Sequence, residues 1–256
     1  MPALVTLTTN FGEREPSVAA VKGALHAHCP GVQIEDLSHE LPRGEITESA
    51  LFVAGALPFF PAGTVHLVDV DPGPTPIAVS IAEQLVVCPD NGVLTMLADH
   101  AAVGEVVAIA LAEGLANRPA PLLYGREVFA PAAAALAAGA RLDSLGAAHP
   151  GLTRLDLPTP EQRDGHALRG EIIHIDRFGN LVTNIHRTAL TDARVSNVVV
   201  QGFAVGPVRR NFEDVEMKKP LAILGASGYL EIAYRGDRAD TRLKARKGLA
   251  VKVELA

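Results

Sequence analysis

The 256-residue chain contains no tryptophan, and aromatic residues make up only 4% of it. Hydrophobic residues nevertheless reach 48%, so the interior must be built mainly from Ala, Val, Leu and Ile. Charged residues are 20% of the chain, a proportion typical of folded globular proteins and not of disordered ones. A chain of this length can form one large domain or two smaller ones, each with its own core.

Cysteine is also scarce. Cys29 and Cys88 lie far apart and have no metal-ligand spacing, which favours reduced thiols in a cytoplasmic protein over a disulfide framework. The opening residues do not form a secretory signal, and the apolar stretches around 51–60 and 130–140 are too short or too interrupted to span a bilayer. We therefore expect a cytoplasmic protein that does not bind membranes.

Basic residues are outnumbered, with 23 Lys and Arg against 29 Asp and Glu and a net charge of -6. This balance argues against a protein that binds nucleic acid by neutralising phosphates. No G-x-G-x-x-G follows the first predicted strand, and no G-x-S-x-G occurs anywhere. The nine histidines are scattered without a metal-ligand spacing, so the sequence predicts no metal site.

The chain is organised around residues 64–75, a β-branched run that ends in an acidic turn. Its Val and Leu residues follow one another closely, which predicts a strand buried on both faces of a parallel sheet. Asp71 lies at the end of this strand, where Pro72 and Gly73 turn the chain. Ligands of open α/β sheets bind outside the carboxyl ends of the strands, so Asp71 is a candidate site residue. An aspartate that only caps the turn is the alternative.

The order of predicted elements indicates an α/β fold with a mostly parallel sheet. A β-α-β-α-β order implies parallel neighbours joined by right-handed crossovers. The first strands are predicted at 3–9, 33–37 and 65–71, and the first helices at 17–28 and 47–57. A hairpin-like pair at 77–81 and 85–88, a strand or helix at 106–111, and a helix at 129–138 follow.

The composition and the hydrophobic pattern of the sequence change after residue 155. Residues 156–169 are polar, contain proline and show no apolar period, which predicts a linker between an N-terminal domain (1–155) and a C-terminal domain (170–256). Short strands without a long helix are typical of a small β-barrel or sandwich. These strands are predicted at 171–176, 181–185, 195–200, 221–224, 229–233 and 249–254.

Polar turns follow the predicted strands of the first domain. Because the carboxyl ends of parallel strands meet at one edge, such turns could together line a binding site. The turns contain Asn10 with Ser17, Ser38-His39, Asp71, Asp90-Asn91 and Tyr124-Gly-Arg-Glu127. In the second domain, Asp176 and Asn180 flank another turn and offer the donors and acceptors that a ribose diol or an amino-acid zwitterion needs. An ordinary β-turn is the alternative there.

Many ordered segments resemble the S-adenosylmethionine hydroxide adenosyltransferases, a family related to the bacterial fluorinase and chlorinase. The similarity runs nearly end to end. The matching segments are Thr8-Thr-Asn-Phe-Gly12, Lys22-Gly23, Asp36-Leu-Ser-His39, Phe60-Pro-Ala-Gly-Thr-Val65, Val70-Asp-Pro-Gly73, Pro89-Asp-Asn-Gly-Val-Leu94, Tyr124-Gly-Arg-Glu-Val-Phe-Ala-Pro131, Ile175-Asp-Arg-Phe-Gly-Asn-Leu-Val-Thr-Asn-Ile185 and Gly228-Tyr-Leu-Glu-Ile-Ala233.

The resemblance implies an N-terminal α/β domain, a C-terminal β-barrel, and a homotrimer whose ligand lies between one subunit's first domain and a neighbour's second. Asn10 stands where the family usually has an Asp that holds the ribose hydroxyls. Ser17 matches a ligand-contacting serine of the halogenases. Asp176 and Asn180 match groups that hold the methionine portion.

The rest of the implied pocket also lies in the second domain. Phe178 and Phe212 match aromatic positions near the adenine. Ala226, Ser227 and Arg235 fall in the segments that complete the pocket.

The chain departs from the family's catalytic pattern. The hydrolases of the family resemble one another in an Asp, an Arg and a His that position the attacking water or hydroxide. Asp71 keeps the first, the Arg expected after the Asp-Pro-Gly turn is missing, and Tyr124 stands in place of the His. The halogenases carry a Ser at the position of Gly125, so halide chemistry is not expected either.

The implied reaction is hydrolysis of S-adenosyl-L-methionine at its 5′ carbon, giving adenosine and L-methionine without a cofactor. Asp71 would orient the water and Tyr124 would donate a hydrogen bond to it. Two alternatives stay open. In the first, the protein is catalytically impaired and only binds S-adenosylmethionine or adenosine. In the second, it acts on another nucleoside through the same pocket.

Overall fold

The computed structural model describes residues 3–112, 123–163, 166–190 and 194–256. The chain forms two compact units that divide between Leu155 and Asp156. Residues 156–169, for which the sequence predicts a linker, belong to the second unit. Within them, Glu161–Arg163 forms a strand that pairs antiparallel with Ala167–Arg169. A polar segment without apolar periodicity can still satisfy its backbone groups in this way.

A seven-stranded sheet forms the centre of the first unit. Its strands are β1 (Leu4–Thr9), β2 (Gln33–Ser38), β3 (Val65–Asp69), β4 (Pro76–Ile81), β5 (Gln84–Pro89), β6 (Val103–Ile109) and β7 (Gly146–Ala148). They lie in the order β2-β1-β3-β5-β4-β6-β7. The first four strands in this order are parallel neighbours, whereas β4, β6 and β7 pair antiparallel. The sheet is therefore mixed, because the β4–β5 hairpin reverses the chain direction.

Helices cover both faces of this sheet. They are α1 (Ser17–His28), α2 (Ile46–Ala56), α3 (Thr95–Ala98) and α4 (Ala130–Ala137), with a π-helical turn at Gly125–Phe129 and 3-10 turns at Leu57–Phe59 and Leu142–Leu145. Val21 and Leu25 of α1 pack with the alanines of α4 on one face. Val53 of α2 and Leu97 of α3 pack on the other. The bounds of α1 agree with the prediction, since Pro16 precedes it and its apolar residues recur at helical spacing.

Strand β3 is the most enclosed element of the first unit. All five of its residues are buried, because β1 and β5 flank it and helices cover both faces. Leu67 packs in the cluster that contains α1, and Val68 packs in the opposite cluster. The predicted strand buried on both faces is confirmed. Since β1, β2, β3 and β5 are parallel, the chain leaves all four at the same edge of the sheet, called the carboxyl edge below.

The second unit is a curled β-sheet. Its strands are β8 (Glu161–Arg163), β9 (Ala167–Ile175), β10 (Leu181–His186), β11 (Val195–Val200), β12 (Phe203–Gly206), β13 (Val208–Arg209), β14 (Pro220–Leu224), β15 (Tyr229–Tyr234) and β16 (Ala250–Leu255). A short helix α5 (Ala239–Leu243) and 3-10 turns at Arg187–Leu190 and Phe212–Asp214 complete it.

The strands of the second unit follow the order β12-β11-β16-β9-β10-β15-β14-β13, with β8 paired to β9. Strand β12 also approaches β14, so the sheet closes into a nearly complete barrel around an aliphatic core. The predicted fold class, an α/β unit followed by a smaller β-barrel unit, is confirmed. Among the helices that the structure describes, none is long and apolar enough to cross a membrane.

We expect Leu67→Ala to lower the free energy of unfolding by about 2–5 kcal/mol, because the fully buried side chain would leave a cavity beside α1. The matched control is Leu111→Ala, at a leucine that is 36% exposed. That control should change stability by less than about 1 kcal/mol. Urea unfolding followed by circular dichroism measures both, and equal losses would contradict a central position for β3.

Candidate functional site

A cavity of about 430 Å³ opens at the carboxyl edge of the first unit's sheet. This is the edge at which the polar turns were predicted to meet. Four of the predicted site residues, Asn10, Ser17, Asp71 and Tyr124, line the cavity together. Its wall is completed by Phe11, Glu15, Arg43, Asp69, Pro72, Gly73, Pro76, Pro89, Leu123 and Phe129.

Asp71 is held rigidly on this wall. Its Oδ1 accepts a hydrogen bond from Asn10 Nδ2 at 2.8 Å, and its Oδ2 accepts one from the backbone N–H of Gly44 at 2.7 Å. Its backbone φ of 50° lies in the left-handed region, which few residues other than glycine adopt without cost. A strained backbone conformation of this kind persists where the surrounding contacts hold it in place. The fold therefore sets the direction of the Asp71 carboxylate.

Two further polar turns brace the carboxyl edge. Asn91 follows β5, and its Nδ2 donates to the backbone oxygens of Val70 at 2.8 Å and of Asp71 at 3.2 Å. His39 follows β2, where its Nδ1 pairs with Thr9 Oγ1 at 2.9 Å. These side chains hold neighbouring strand ends together, and neither is part of the cavity wall.

Asp69 is a cavity residue that the sequence analysis missed. It is only 8% exposed, and burial raises the pKa of its carboxyl from 3.8 to about 7, partly offset by a hydrogen bond from the backbone of Gly125. The Asp-x-Asp spacing of Asp69 and Asp71 is the signal that could have indicated it, because alternate residues of a strand point to the same face. Besides Glu15, the cavity wall thus includes Asp69 and Asp71, two carboxyl groups with different surroundings.

The π-helical turn places Tyr124 and Gly125 at the cavity. Tyr124 is 40% exposed, and its ring lies 6.0 Å from that of the buried Phe129. A Cβ atom on Gly125 would collide with Asp69 Oδ2 and would meet Val21 Cγ2 at 3.0 Å. Glycine at position 125 is therefore what leaves room for the Asp69 carboxyl. π-helical turns often occur at functional sites.

Arg43 is the second cavity residue that the sequence analysis missed. It precedes Gly44, whose N–H donates to Asp71, and it lines the cavity. No local motif marks it, since it lies in an exposed turn before α2. Arg126, in the Tyr-Gly-Arg-Glu segment, instead pairs with Glu127 through Nη2 and Oε1 at 2.7 Å.

In the second unit, Asp176 and Asn180 form one tight turn. Asp176 Oδ1 accepts hydrogen bonds from the backbone N–H groups of Phe178 and Asn180, both at 2.8 Å, and its Oδ2 accepts one from Asn180 Nδ2 at 2.9 Å. The turn exposes Phe178, which is 67% accessible and has the Arg177 guanidinium 5.7 Å from its ring centre. The sequence left open that Asp176 and Asn180 flank an ordinary β-turn, and the structure has such a turn. The turn leaves the aromatic ring of Phe178 exposed and available to a ligand.

Glu231 is a further acid beside this turn. Burial, together with the charge of Asp176, raises the pKa of its carboxyl to about 7. A Cβ on Gly225 would collide with Glu231, so the Gly225–Gly228 loop that carries Ala226 and Ser227 lies against the same carboxyl. The structure thus brings Asp176, Asn180 and this loop together.

Phe212 and Arg235 are the remaining predicted site residues of the second unit. Phe212 begins the 3-10 turn and is 38% exposed. Arg235 donates from Nη1 to the backbone oxygen of Val215 at 2.8 Å, so its guanidinium braces the segment that follows this turn. In the part of the chain that the structure describes, no group of three or more His, Cys, Asp or Glu side chains is arranged to hold a metal ion.

The fold and the site define the class as a two-unit protein, in which an α/β unit with a carboxylate-lined cavity at its carboxyl edge is followed by a β-barrel unit. The chain belongs to the S-adenosylmethionine hydroxide adenosyltransferase family. The family's N-terminal domain matches residues 5–146, and its C-terminal domain matches residues 170–252. The predicted family membership is thereby confirmed.

Several relatives match over nearly the whole chain. An (R)-S-adenosyl-L-methionine hydrolase of Thermus thermophilus is 35% identical over 97% of this chain and 98% of that protein. A fluorinase of an Actinoplanes species is 28% identical over the full length of both. The solved structure of an uncharacterized conserved protein from Thermotoga maritima superposes with a TM-score of 0.84, at 28% identity, over 97% of this chain and 99% of that one.

The raised pKa of Asp69 predicts a pH-dependent difference in stability. In the unfolded chain the carboxyl ionises near pH 4, whereas in the folded protein it holds its proton up to about pH 7. Between these values the folded state binds more protons, so this carboxyl makes the protein less stable as pH rises. An asparagine side chain at this position cannot ionise and lacks this penalty.

We therefore expect Asp69→Asn to gain stability relative to the parent as pH rises from 4 to 8, by at most about 4 kcal/mol in total. Urea unfolding at pH 5 and pH 8 measures the difference. The matched control is Asp143→Asn, at an exposed acid whose pKa is lowered by Arg141, so its effect should be constant over this range. A pH-independent difference for Asp69→Asn would show that the buried carboxyl does not titrate there.

Proposed function

We propose that this protein is an S-adenosyl-L-methionine hydrolase, which displaces methionine from the 5′ carbon by water to give adenosine and L-methionine. The observation that carries this proposal is the Asp71 carboxylate, fixed on the cavity wall by Asn10 and the Gly44 amide. Hydrolases of this name, 28–35% identical over nearly their whole length, support the substrate and the reaction.

The chemistry needs an oriented oxygen nucleophile more than an acid. The sulfonium leaves as a neutral thioether, so no proton has to be given to the leaving group and no cofactor has to activate it. The site has to place a water in line with the carbon–sulfur bond and exclude other water. Asp71 accepts a hydrogen bond from this water, and Tyr124 on the same wall donates one to it.

The cavity wall also supplies a cation. The family's Arg after the Asp-Pro-Gly turn is missing, and Arg43 occupies the wall beside the residue that binds Asp71. We assign to Arg43 the positive charge that stabilises the Asp69 and Asp71 carboxyl groups in this cavity. Arg43 lies far along the chain from the position where the family has its Arg. A comparison of local segments therefore does not reveal it.

Asn10 and Ser17 bind the ribose in this proposal. Asn10 uses its Nδ2 on Asp71, which leaves its carbonyl oxygen to accept a hydrogen bond from a ribose hydroxyl. On the second unit, the exposed Phe178 and Phe212 stack on the adenine. Asp176 and Asn180 hold the methionine portion, and Ala226, Ser227 and Arg235 complete the pocket.

Hydrolysis fits the cavity better than halide transfer, although fluorinases are among the relatives. Asp69, Asp71 and Glu15 place three carboxyl groups on the wall, which disfavours a bound halide anion by charge repulsion. A serine at position 125 would also collide with the Asp69 carboxyl.

We expect Asp71→Asn to lower the rate of adenosine formation by about 10²–10³-fold, because an amide is a poor acceptor for a polarised water. Chromatography of S-adenosylmethionine digests measures adenosine. Adenosine affinity in calorimetry should stay within about threefold, since the amide oxygen of the new side chain can still accept a hydrogen bond from Asn10. The control Asp143→Asn should match the parent. A parent that binds adenosine and forms none would establish the binding-only alternative.

We further propose a homotrimer whose sites lie between subunits, as the resemblance to the family implies, and a cytoplasmic location, supported by the free cysteines Cys29 and Cys88. Sedimentation should then give three times the mass of the chain. Asp71→Asn and Phe178→Ala chains, refolded together, should recover about a quarter of the parent activity, because random assortment restores some intact sites. Activity no higher than that of the separate variants would place each site within one chain.

A further inference from the structure

We propose that Asp69 is the general base of the hydrolysis, accepting the proton of the water that Asp71 orients. This inference rests on the proposed function and assigns a role to a residue outside the family's catalytic pattern. Both carboxyl groups line the same cavity, but the structure gives them different surroundings. A site with two acids in contrasting environments commonly divides its work between them.

Asp71 is already occupied by hydrogen bonds. Its Oδ1 accepts from Asn10 at 2.8 Å and its Oδ2 from Gly44 N–H at 2.7 Å. These two donors fix the position of both carboxylate oxygens, and each oxygen keeps a further lone pair that can accept a hydrogen bond from a water. Asp71 is therefore suited to orienting the water.

Asp69 has the opposite surroundings. It is 8% exposed at the end of β3, next to Thr9 of β1, and the backbone N–H of Gly125 donates to it. Burial raises its pKa to about 7, which is where a base accepts protons effectively at neutral pH. The titratable and charged groups that share the cavity wall with it are Glu15, Arg43, Asp71 and Tyr124, and its charge also acts on Cys88 of β5.

The glycine at position 125 supports the same assignment. Any side chain there would meet the Asp69 carboxyl, so the chain keeps the space that this group needs at the cavity. The buried Cys88 is not a competing base, because burial raises the pKa of its thiol and Asp90 and Asp69 raise it further.

The step balances in atoms and electrons. The water oxygen forms a bond to the 5′ carbon as the carbon–sulfur bond breaks, and the electron pair of that bond stays on sulfur, which becomes the neutral thioether of methionine. One water proton passes to the Asp69 carboxylate, and the hydroxyl of adenosine keeps the other. Asp69 then releases its proton to solvent.

The test is the pH dependence of adenosine formation from pH 5 to 9. In the parent, kcat/KM should rise tenfold per pH unit and level off near pH 7. The corresponding pKa in kcat should be lower, because the bound sulfonium cation stabilises the Asp69 carboxylate. Asp69→Asn should lose this step and fall by about 10²-fold or more in kcat at pH 8, with KM within about threefold.

Two further variants keep the assignment falsifiable. Asp71→Asn should retain the step near pH 7 in its residual activity, and Asp69→Glu should recover part of the rate and the step. A step that survives in Asp69→Asn and disappears in Asp71→Asn would overturn the assignment and leave the hydrolase function intact. If Asp69→Asn fails to fold, the Asp71→Asn profile alone decides, since loss of the step there would overturn the assignment by itself. A parent that forms no adenosine at any pH would instead refute the proposed function itself.

Discussion

Because four strands of the first unit are parallel, the polar turns that follow them lie together at the carboxyl edge of the sheet. Strands β1, β2, β3 and β5 run in the same direction, so the residues that follow them meet at the carboxyl edge whatever their separation in sequence. Asn10 and Asp71 are 61 residues apart and form a hydrogen bond of 2.8 Å for this reason. The helices on both faces and the aliphatic core serve to keep β3 in the middle of this arrangement.

The same burial that stabilises β3 also determines the chemistry at its end. One residue separates Asp69 from Asp71, but Asp69 remains inside the sheet whereas Asp71 lies in the turn and receives two donors. Desolvation favours the neutral form of the Asp69 carboxyl, and hydrogen bonds fix the position of the Asp71 carboxylate oxygens. A carboxyl that exchanges a proton near neutrality and one that stays an acceptor are what a water-activating site needs. The contrast between the two carboxyl groups therefore follows from the burial of Asp69 and the hydrogen bonds of Asp71.

Much of the fold could be predicted because local patterns were sufficient. Helix α1 has a proline before it and regular apolar spacing, and β3 is apolar on both sides. The antiparallel half of the first sheet was harder to predict from the sequence, since the direction of β6 depends on which strand it pairs with. In the site, Asn10, Ser17, Asp71 and Tyr124 were found from turns and resemblance. Asp69 was missed although the Asp-x-Asp spacing points to it, because its burial is not visible in the sequence. Arg43 was missed because proximity across 26 residues has no local signature.

The central claim is that the cavity at the carboxyl edge binds an adenosyl group with its 5′ carbon towards Asp71. A crystal structure of the protein with adenosine tests this most directly. We predict density for the nucleoside in this cavity, with a ribose hydroxyl on the Asn10 carbonyl oxygen and the 5′ carbon facing the Asp71 carboxylate. A nucleoside bound elsewhere, or one whose 5′ carbon points away from both Asp69 and Asp71, would contradict the account.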